Sequence, residues 1–288
     1  MAMFTYLMVV SPTDDPIKLG RCLKSLENQS ASLANFLIVK NGPIPQILEE
    51  ELYSFSKILK IKIDITSIPN VKNLGLALNC GLDKIESEWI LRIDPDDIVL
   101  ENRIEAAREL IARTNFDVAF FSSYEIGLDK ELIYLRELNF DFPNNKFLVN
   151  NPFTHSTALI KTSTLRELGG YQDIYLAEDY DLWLRFYLNK KIIKTSREFV
   201  LIYDGENLFT RRRTLMTIKG ELSLFRLRKE IGKLNILFNL FILSIRILYR
   251  ILPVFLSKNI YFRFIMGEKK FLNIELSRIL IEKYKIKL

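Results

Sequence analysis

The chain has 288 residues, enough to bury a sizeable core in one large domain or in one domain with an appendage. Its hydrophobic content of 49% and aromatic content of 12% exclude a generally disordered protein, and its formal net charge is +6. The single histidine, His155, excludes a histidine-rich zinc site and leaves a serine–histidine hydrolase possible only through that residue, without a G-x-S-x-G motif.

Strand-like apolar runs alternate with helix-like patterns from residue 4 to residue 124. This alternation is typical of an α/β protein with a mixed, mostly parallel sheet and crossover helices. The expected strands are 4–10, 35–40, 61–67, 88–93 and 116–124, and the expected helices are 15–28, 44–59, 72–85 and 100–113. Residues 125–150 look irregular. Strands are then expected at 156–161, 191–194 and 199–203, and helices at 163–168 and 178–189.

The charge changes at Arg211. From there the chain carries 18 Lys and Arg against 5 Asp and Glu, a net of +13, whereas the preceding residues carry a net of −7. The sequence therefore predicts a globular domain over residues 1–210 and a basic helical tail over residues 211–288. An anionic surface is the expected partner of that tail.

Within the tail, a basic helix is expected at 215–232, and the segment Leu234–Leu256 is strongly apolar. Its length nearly spans a bilayer, but Arg246, Arg250 and Pro253 interrupt its second half. A helix lying in the membrane interface, with its arginines at headgroup level, fits this pattern better. A pair of core helices packed on the domain is the alternative.

The start of the chain and its two cysteines indicate in which cellular compartment the protein is expected. Met1–Ser11 is apolar but short and lacks a basic n-region, so it is expected to be the first core strand rather than a signal peptide. Cys22 and Cys80 lie far apart in helix-like segments. A reduced, cytosolic protein is the simplest interpretation, and the sequence leaves a disulfide bridge open.

The apolar run from Trp89 ends in Asp94-Pro-Asp-Asp97, which places three carboxylates within four positions. Such a cluster is costly unless a cation lies among the carboxylates. At the end of a buried strand it would lie where open α/β sheets bind ligands, and its oxygens suit Mg²⁺ or Mn²⁺ shared with phosphate. The alternative is a solvated turn in which Asp97 caps the next helix.

Three other segments stand in a fixed order with this cluster and with Arg103. They are the strand–helix–strand segment Thr5–Asn41, the segment Asn73-Leu-Gly-Leu-Ala-Leu-Asn-Cys-Gly81, and the stretch from His155 through Gly169-Gly-Tyr171 to Glu178-Asp-Tyr-Asp-Leu-Trp-Leu-Arg185. Over residues 4–213 this order resembles a family 2 glycosyltransferase of the GT-A fold. Within the family it resembles bacterial enzymes that build O-antigen, capsule or exopolysaccharide repeat units.

The resemblance implies a donor site. Asp96 would be the direct ligand of a divalent ion, Mg²⁺ or Mn²⁺, with Asp97 supporting the metal, and Asp94 would contact the donor ribose or sugar. Asn41 stands where the family often has an Asp that binds the nucleotide base, and its amide can still hydrogen-bond a uracil edge. The remaining implied donor contacts are Asn73, Gly75 and Asn79. Helix packing and capping are the alternative for Gly75 and Asn79.

The resemblance also implies an acceptor side. Asp179 would be the base that deprotonates the acceptor hydroxyl, and Glu178 would contact the acceptor or orient its loop. The alternative is that this acidic pair only caps its helix. His155 would contact the acceptor. For Arg211-Arg-Arg213, contact with the diphosphate and a simple start of the tail are equally good hypotheses.

The implied activity is that of an inverting, metal-dependent hexosyltransferase. It would move a sugar from a nucleotide-sugar donor, expected to be a UDP-sugar, to a polyprenyl-diphosphate-linked saccharide at the cytoplasmic face of the membrane. One alternative is a nucleotidyl or phosphoryl transferase, although no G-x-x-x-x-G-K-[ST] motif is present. Another is a nucleic-acid-binding protein, but the tail is aliphatic between its charges and no nucleic-acid partner is expected. A third is an inactive scaffold, against which the intact carboxylates argue.

Overall fold

The computed structural model describes residues 3–27, 29, 34–58, 63–71, 73–126, 133–138, 146–203, 215–251 and 270–284. The strands are β1 (Phe4–Val10), β2 (Ala34–Asn41), β3 (Ile63–Ile68), β4 (Trp89–Arg92), β5 (Ile98–Val99), β6 (Val118–Ile126), β7 (Ile133–Arg136), β8 (Leu159–Lys161), β9 (Ile193–Tyr203) and β10 (Lys270–Phe271). The helices are α1 (Pro16–Ser25), α2 (Gln46–Ile58), α3 (Leu74–Leu82), α4 (Arg103–Arg113), α5 (Lys146–Val149), α6 (Thr162–Glu167), α7 (Glu178–Leu188), α8 (Leu215–Ile231), α9 (Ile236–Ile251) and α10 (Ile274–Lys283). A 3₁₀ turn, His155–Thr157, precedes β8.

The strands of the described residues form one mixed sheet. Its main order is β10-β7-β6-β8-β4-β1-β2-β3, and β9 pairs with β6 and β5. The strands β3, β2, β1 and β4 are parallel neighbours, as the alternation of strands and helices predicts. Beyond β4, strand β8 runs antiparallel to both of its neighbours, whereas the long β9 runs parallel to β6.

Two cores lie on the two faces of the sheet. Every residue of β1 is buried, because helices cover both faces of its parallel region. Phe4, Tyr6 and Met8 face a core shared with α1, α2 and α4. Leu7 and Val9 face a second core shared with α3, α7 and α8. The parallel part of the sheet is therefore packed on both faces.

The sequence predicts most elements up to β6, and three later regions differ. One continuous strand, β9, replaces the two strands expected at 191–194 and 199–203, because β9 pairs with β6 throughout and absorbs shifts in register. The region 125–150, expected to be irregular, contains β7 and α5. The strand expected at 156–161 begins as a 3₁₀ turn, so that only its second half joins the sheet.

The C-terminal helices pack on the domain. Helix α8 contacts α7 and α9, and its Leu224 is fully buried in the second core. Arg246 and Arg250 of α9 form ion pairs with the buried Glu221 of α8, at 2.5 and 2.7 Å. The predicted position of these arginines at headgroup level is therefore wrong, because a buried carboxylate holds them against the protein.

The opposite face of α9 is apolar and exposed. Its exposed side chains, 46–72% accessible, are Leu237, Phe238, Phe241, Ile245, Leu248 and Ile251. Across the described part of the chain, no helix is long and apolar enough to cross a membrane. Arg211–Arg213, Pro253 and the predicted boundary at residue 211 lie outside the described residues, so that the division into two parts stays a prediction.

Candidate active site

A cavity of about 530 Å³ opens at the carboxyl ends of β1, β2 and β4. This is the edge at which open α/β sheets bind ligands. The Ser11–Asp14 turn lines the cavity after β1, Asn41 lines it at the end of β2, and Asp94 and Asp96 line it after β4. The wall is completed by residues from the second half of the chain, among them Asn151, His155, Glu178, Asp179, Arg246 and Arg250. Six residues of the predicted site therefore share one cavity.

Asp94 is held in position by a buried cation and a hydroxyl group. Arg92, fully buried, forms an ion pair with Oδ1 of Asp94, and the Ser156 hydroxyl donates to Oδ2 at 2.9 Å. Burial alone would raise the pKa of Asp94, but the charge of Arg92 and the hydrogen bonds from Ser156 and Arg92 outweigh it, so that the pKa is lowered. Asp94 therefore presents to the cavity a carboxylate whose charge is partly compensated from behind.

Asp97 lies outside the cavity lining. Its side chain is fully buried. Burial lowers the pKa of Arg103, and the charges of Tyr6 and then Asp97 oppose that change. The carboxylate of Asp97 therefore interacts with a buried guanidinium group in the core and not with the cavity. The following helix begins at Arg103 after Asn102, so the alternative that Asp97 caps this helix is wrong. Its predicted support of a metal stays a prediction.

The fit to a divalent ion depends on Asp96. Within the described ranges, no group of three His, Cys, Asp or Glu side chains converges as a metal-binding set. The half-buried carboxylate of Asp96 nevertheless lines the cavity beside Asp94. Proteins commonly hold Mg²⁺ with one or two carboxylates, the remaining ligands being substrate phosphates and water. The residues present therefore fit a metal ion shared with a phosphorylated substrate.

His155 contributes a neutral imidazole to the cavity wall. Its Nε2 lies 2.9 Å from the Tyr171 hydroxyl oxygen. Burial, and then the charge of Arg92, lowers the pKa of His155 to about 3, although Asp94 opposes the shift. At neutral pH the uncharged imidazole can therefore donate or accept a hydrogen bond with a ligand, but it supplies no positive charge.

Asp179 is oriented by two hydrogen bonds at the start of α7. Its Oδ1 accepts from the backbone N–H of Tyr180 at 2.7 Å, and its Oδ2 accepts from the side-chain amide of Asn151 at 2.9 Å. The N-terminus of a helix favours a negative charge at this position. The carboxylate therefore lies at the cavity wall in a fixed orientation.

Glu178 precedes Asp179 and also lines the cavity, with 6% of its surface exposed. Leu176, two residues before α7 begins, has a φ of 56°, a left-handed backbone conformation that costs energy in a residue other than glycine. The loop that leads into the acidic pair is therefore held in a specific conformation by its surroundings.

Asn73, Gly75 and Asn79 lie outside the cavity lining and position this loop. Asn73 caps α3 through the N–H of Gly75 at 2.8 Å. Asn79 pairs with the backbone N–H and C=O of Tyr171, both at 2.8 Å. A Cβ at Gly75 would lie 2.9 Å from Cβ of Tyr171, so only glycine allows this approach. These contacts are packing and capping, and the predicted donor contacts of the three residues stay predictions.

Asn41 holds the loop that follows β3. Its Oδ1 accepts from the N–H of Val71 at 2.8 Å, and its Nδ2 donates to the Val71 carbonyl at 2.9 Å. One amide hydrogen and one oxygen lone pair remain for a nucleotide base. The predicted base contact therefore stays a prediction that the geometry permits.

The sequence around this cavity matches a known family. The model for glycosyl transferase family 2 matches residues 17–169, more than half of the chain. The chain belongs to glycosyltransferase family 2. This membership confirms the resemblance and decides against a nucleotidyl transferase and a nucleic-acid-binding protein.

Relatives of this glycosyltransferase match it along most of its length. It is 27% identical over 265 residues to the amylovoran biosynthesis glycosyltransferase AmsE of Erwinia amylovora, covering 90% of this chain and 98% of that one. It is 30% identical over 195 residues to the UDP-Gal:alpha-D-GlcNAc-diphosphoundecaprenol beta-1,3-galactosyltransferase of Escherichia coli, covering 65% and 68%. It is 29% identical over 268 residues to an uncharacterized glycosyltransferase of Haemophilus influenzae, covering 91% and 98%.

Solved structures confirm the predicted GT-A fold. TarS of S. aureus in complex with UDP-GlcNAc superposes with a TM-score of 0.60 at 18% identity, covering 87% of this chain and 72% of that chain. The mannosyltransferase PcManGT of Pyrobaculum calidifontis, in complex with GDP-Man and Mn²⁺, gives a TM-score of 0.60 at 11% identity, covering 81% and 65%. At these identities the likeness concerns the fold alone.

Sequence reasoning missed several cavity residues of this family 2 enzyme. Asn151 orients Asp179 through a hydrogen bond, but the sequence indicates only His155 as a candidate in this segment. Arg246 and Arg250 also line the cavity, whereas the sequence pattern shows them only as charged interruptions of an apolar helix. Their spacing of four residues, which places both on one helix face, is the signal that could have found them.

Proposed function

We propose that this enzyme transfers a sugar from a UDP-sugar to a polyprenyl-diphosphate-linked saccharide in the synthesis of a bacterial surface polysaccharide. The observation that carries this proposal is the single cavity that brings Asp94 and Asp96 together with Asp179. A glycosyl transfer needs this combination: positive charge or a cation for a departing diphosphate, and a base for an acceptor hydroxyl.

The donor is assigned to the strand-end side of the cavity. Asn41 and the turn after β1 would hold the nucleoside, and Asp94 would contact the ribose or the sugar. Asp96 would hold the divalent ion, which when bound supplies positive charge against the diphosphate. The UDP-GlcNAc in the TarS complex and the Mn²⁺ in the PcManGT complex support a nucleotide-sugar donor and a divalent ion.

The chemical step assigned to Asp179 is proton removal from the acceptor hydroxyl. As the O–H bond breaks, the oxygen forms a bond with the anomeric carbon from the face opposite the diphosphate. The bond between that carbon and the diphosphate oxygen breaks, and the nucleoside diphosphate leaves with its electron pair. Asn151 keeps the carboxylate in position, and the product has the inverted configuration.

The acceptor is assigned to the side of the cavity formed by Glu178 and His155. The neutral imidazole of His155, held by Tyr171, would hydrogen-bond an acceptor hydroxyl, and Glu178 would fix the sugar. The name of the Escherichia coli relative, which specifies GlcNAc linked to diphosphoundecaprenol, supports a lipid-linked acceptor. The name of AmsE supports a place in polysaccharide synthesis.

The proposed location is the cytoplasmic face of the membrane, with peripheral attachment through α9. The exposed apolar face of this helix belongs to a segment with a net charge of +13. An apolar helix face combined with basic residues is the combination that binds anionic bilayers in the plane of the interface. The ion pairs of Arg246 and Arg250 keep the other face of α9 on the protein.

The test is a panel of nucleotide sugars with a lipid-linked acceptor, with and without Mg²⁺ or Mn²⁺. We expect metal-dependent transfer from a UDP-sugar, and nuclear magnetic resonance of the product should show inversion at the anomeric carbon. Transfer with retained configuration would contradict the assignment of Asp179. Absence of transfer from every donor would contradict the proposed function.

A further inference from the structure

Helix α9 contributes two arginines to the wall of the catalytic cavity. Arg246 and Arg250 line the cavity although the rest of α9 lies outside it. Their side chains are 21% and 8% exposed, and both bond to Glu221, whose side chain is 1% exposed. A buried carboxylate that binds both guanidinium groups fixes them in place, which is how a binding site is preorganised.

Buried charges of both signs meet beneath these two arginines. Arg228 of α8, almost fully buried, interacts electrostatically with Glu221 and with Arg246. Taking charges out of water is costly unless opposite charge compensates them. Glu221 supplies such a charge from beneath, and guanidinium groups at the cavity wall can in addition bind an anion that enters the cavity.

The position of the cluster indicates which anion it binds. Arg246 lies over the ring of Tyr180 at 5.6 Å and interacts electrostatically with Asp179, the assigned base. The largest charge acting on Asp94 is instead that of the buried Arg92. The arginines thus belong to the acceptor side of the cavity, whereas the nucleotide diphosphate is assigned to the strand ends.

We propose that Arg246 and Arg250 bind the diphosphate of the lipid-linked acceptor. This inference rests on the proposed function and makes it more specific. Because the arginines lie beside the base, the attacking hydroxyl and the diphosphate are expected to belong to one short unit, a single sugar attached to the diphosphate. The guanidinium group suits this ligand, since it offers paired donors to phosphate oxygens. The apolar face of the same helix lies toward the lipid.

The experiment compares two acceptors that differ only in the diphosphate. One is the acceptor sugar attached to a short alkyl diphosphate, and the other is the same sugar as an alkyl glycoside. Arg246→Gln and Arg250→Gln should each reduce kcat/KM for the diphosphate acceptor by about 10- to 100-fold, the scale of a lost charge-assisted hydrogen bond. The loss with the glycoside should be several-fold smaller, and KM for the donor should change little. Lys229→Gln, on an exposed position of α8, is the matched control for the removal of one positive charge and should leave both activities unchanged.

Two outcomes would overturn the inference without touching the proposed function. One is a wild-type enzyme that uses both acceptors with equal kcat/KM, a result that does not depend on whether the variants fold. The other is a pair of folded variants that lose activity on both acceptors equally, or that raise KM for the donor alone. If the wild-type enzyme transfers sugar to neither acceptor from any donor, the proposed function fails and this inference fails with it.

Discussion

The substitution Asp179→Asn separates binding from chemistry. Asparagine preserves the shape of the side chain and can still accept the hydrogen bond from the N–H of Tyr180, which spans 2.7 Å. The substitution removes the carboxylate group that is proposed to receive the proton of the acceptor hydroxyl. General-base catalysis typically contributes about 10²- to 10⁴-fold, which corresponds to about 3–5 kcal/mol in the activation barrier. We therefore expect turnover to fall by at least about 10²-fold.

The cost of this substitution in stability should be smaller than its cost in catalysis. The hydrogen bond from Asn151 to Asp179, at 2.9 Å, loses its charged acceptor, a change of about 1 kcal/mol in the free energy of unfolding. Release of nucleoside diphosphate measures turnover, calorimetric titration measures donor affinity, and thermal unfolding measures stability. Donor affinity should hardly change.

The matched control is Asp181→Asn in the same helix turn. Asp181 pairs with Arg185 at 2.8 Å, and its side chain is only 3% exposed. Its loss should lower stability while turnover per folded molecule is kept. If donor affinity of Asp179→Asn falls as steeply as turnover, Asp179 belongs to the donor site. If the control loses turnover equally, the effect arises from the helix and not from a base.

Three further predictions follow from the site and the tail. Asp96→Ala should abolish metal-dependent turnover with an unchanged unfolding midpoint, and full turnover in excess EDTA would contradict the metal assignment. The pKa of His155 is about 3 in the folded protein against 6.5 for the free side chain, so its contribution to stability is complete above pH 6.5 and is lost as pH falls towards 3. Urea unfolding of His155→Gln should therefore show a shallower loss of stability than the wild type over this interval, and equal slopes would argue against a buried neutral imidazole. The double substitution of Leu237 and Phe241 by Ser should reduce sedimentation with anionic vesicles while activity on a soluble acceptor is kept, and unchanged sedimentation would remove α9 from the membrane contact.

Local sequence patterns were sufficient to predict the first half of the fold and part of the candidate site. The strands from Phe4 to Arg92 could be predicted because each is a short run that is apolar or, in β3, alternates between apolar and polar residues, and such patterns need no knowledge of distant partners. Asp94 and Asp96 could be placed at a ligand site because carboxylates that follow a buried parallel strand must emerge at one edge of the sheet. The order of these motifs was enough to indicate the family.

Contacts between distant segments could not be predicted in the same way. The sequence does not show that Asn151 orients Asp179, or that Asn79 holds the backbone of Tyr171, because each pair meets only when separate elements pack. The sequence likewise does not show that Asp97 is fully buried while Asp96 lines the cavity, because the turn after β4 separates the two side chains only in the folded chain.

The α/β fold, the carboxylates at the strand ends and the family could be inferred from the sequence, since these depend on the period of apolar residues and on motif order. The apolar face of α9 and the two arginines that interrupt it are also evident there. What those arginines contact depends on the tertiary structure. Burial of Glu221 beneath α9 makes it favourable for Arg246 and Arg250 to turn inward, where their charge is paired and faces the cavity. Helix α9, which the sequence predicts to lie in the membrane interface, therefore also forms part of the wall of the candidate active-site cavity, because the energy of a buried ion pair depends on which elements pack together and not on the local pattern of residues.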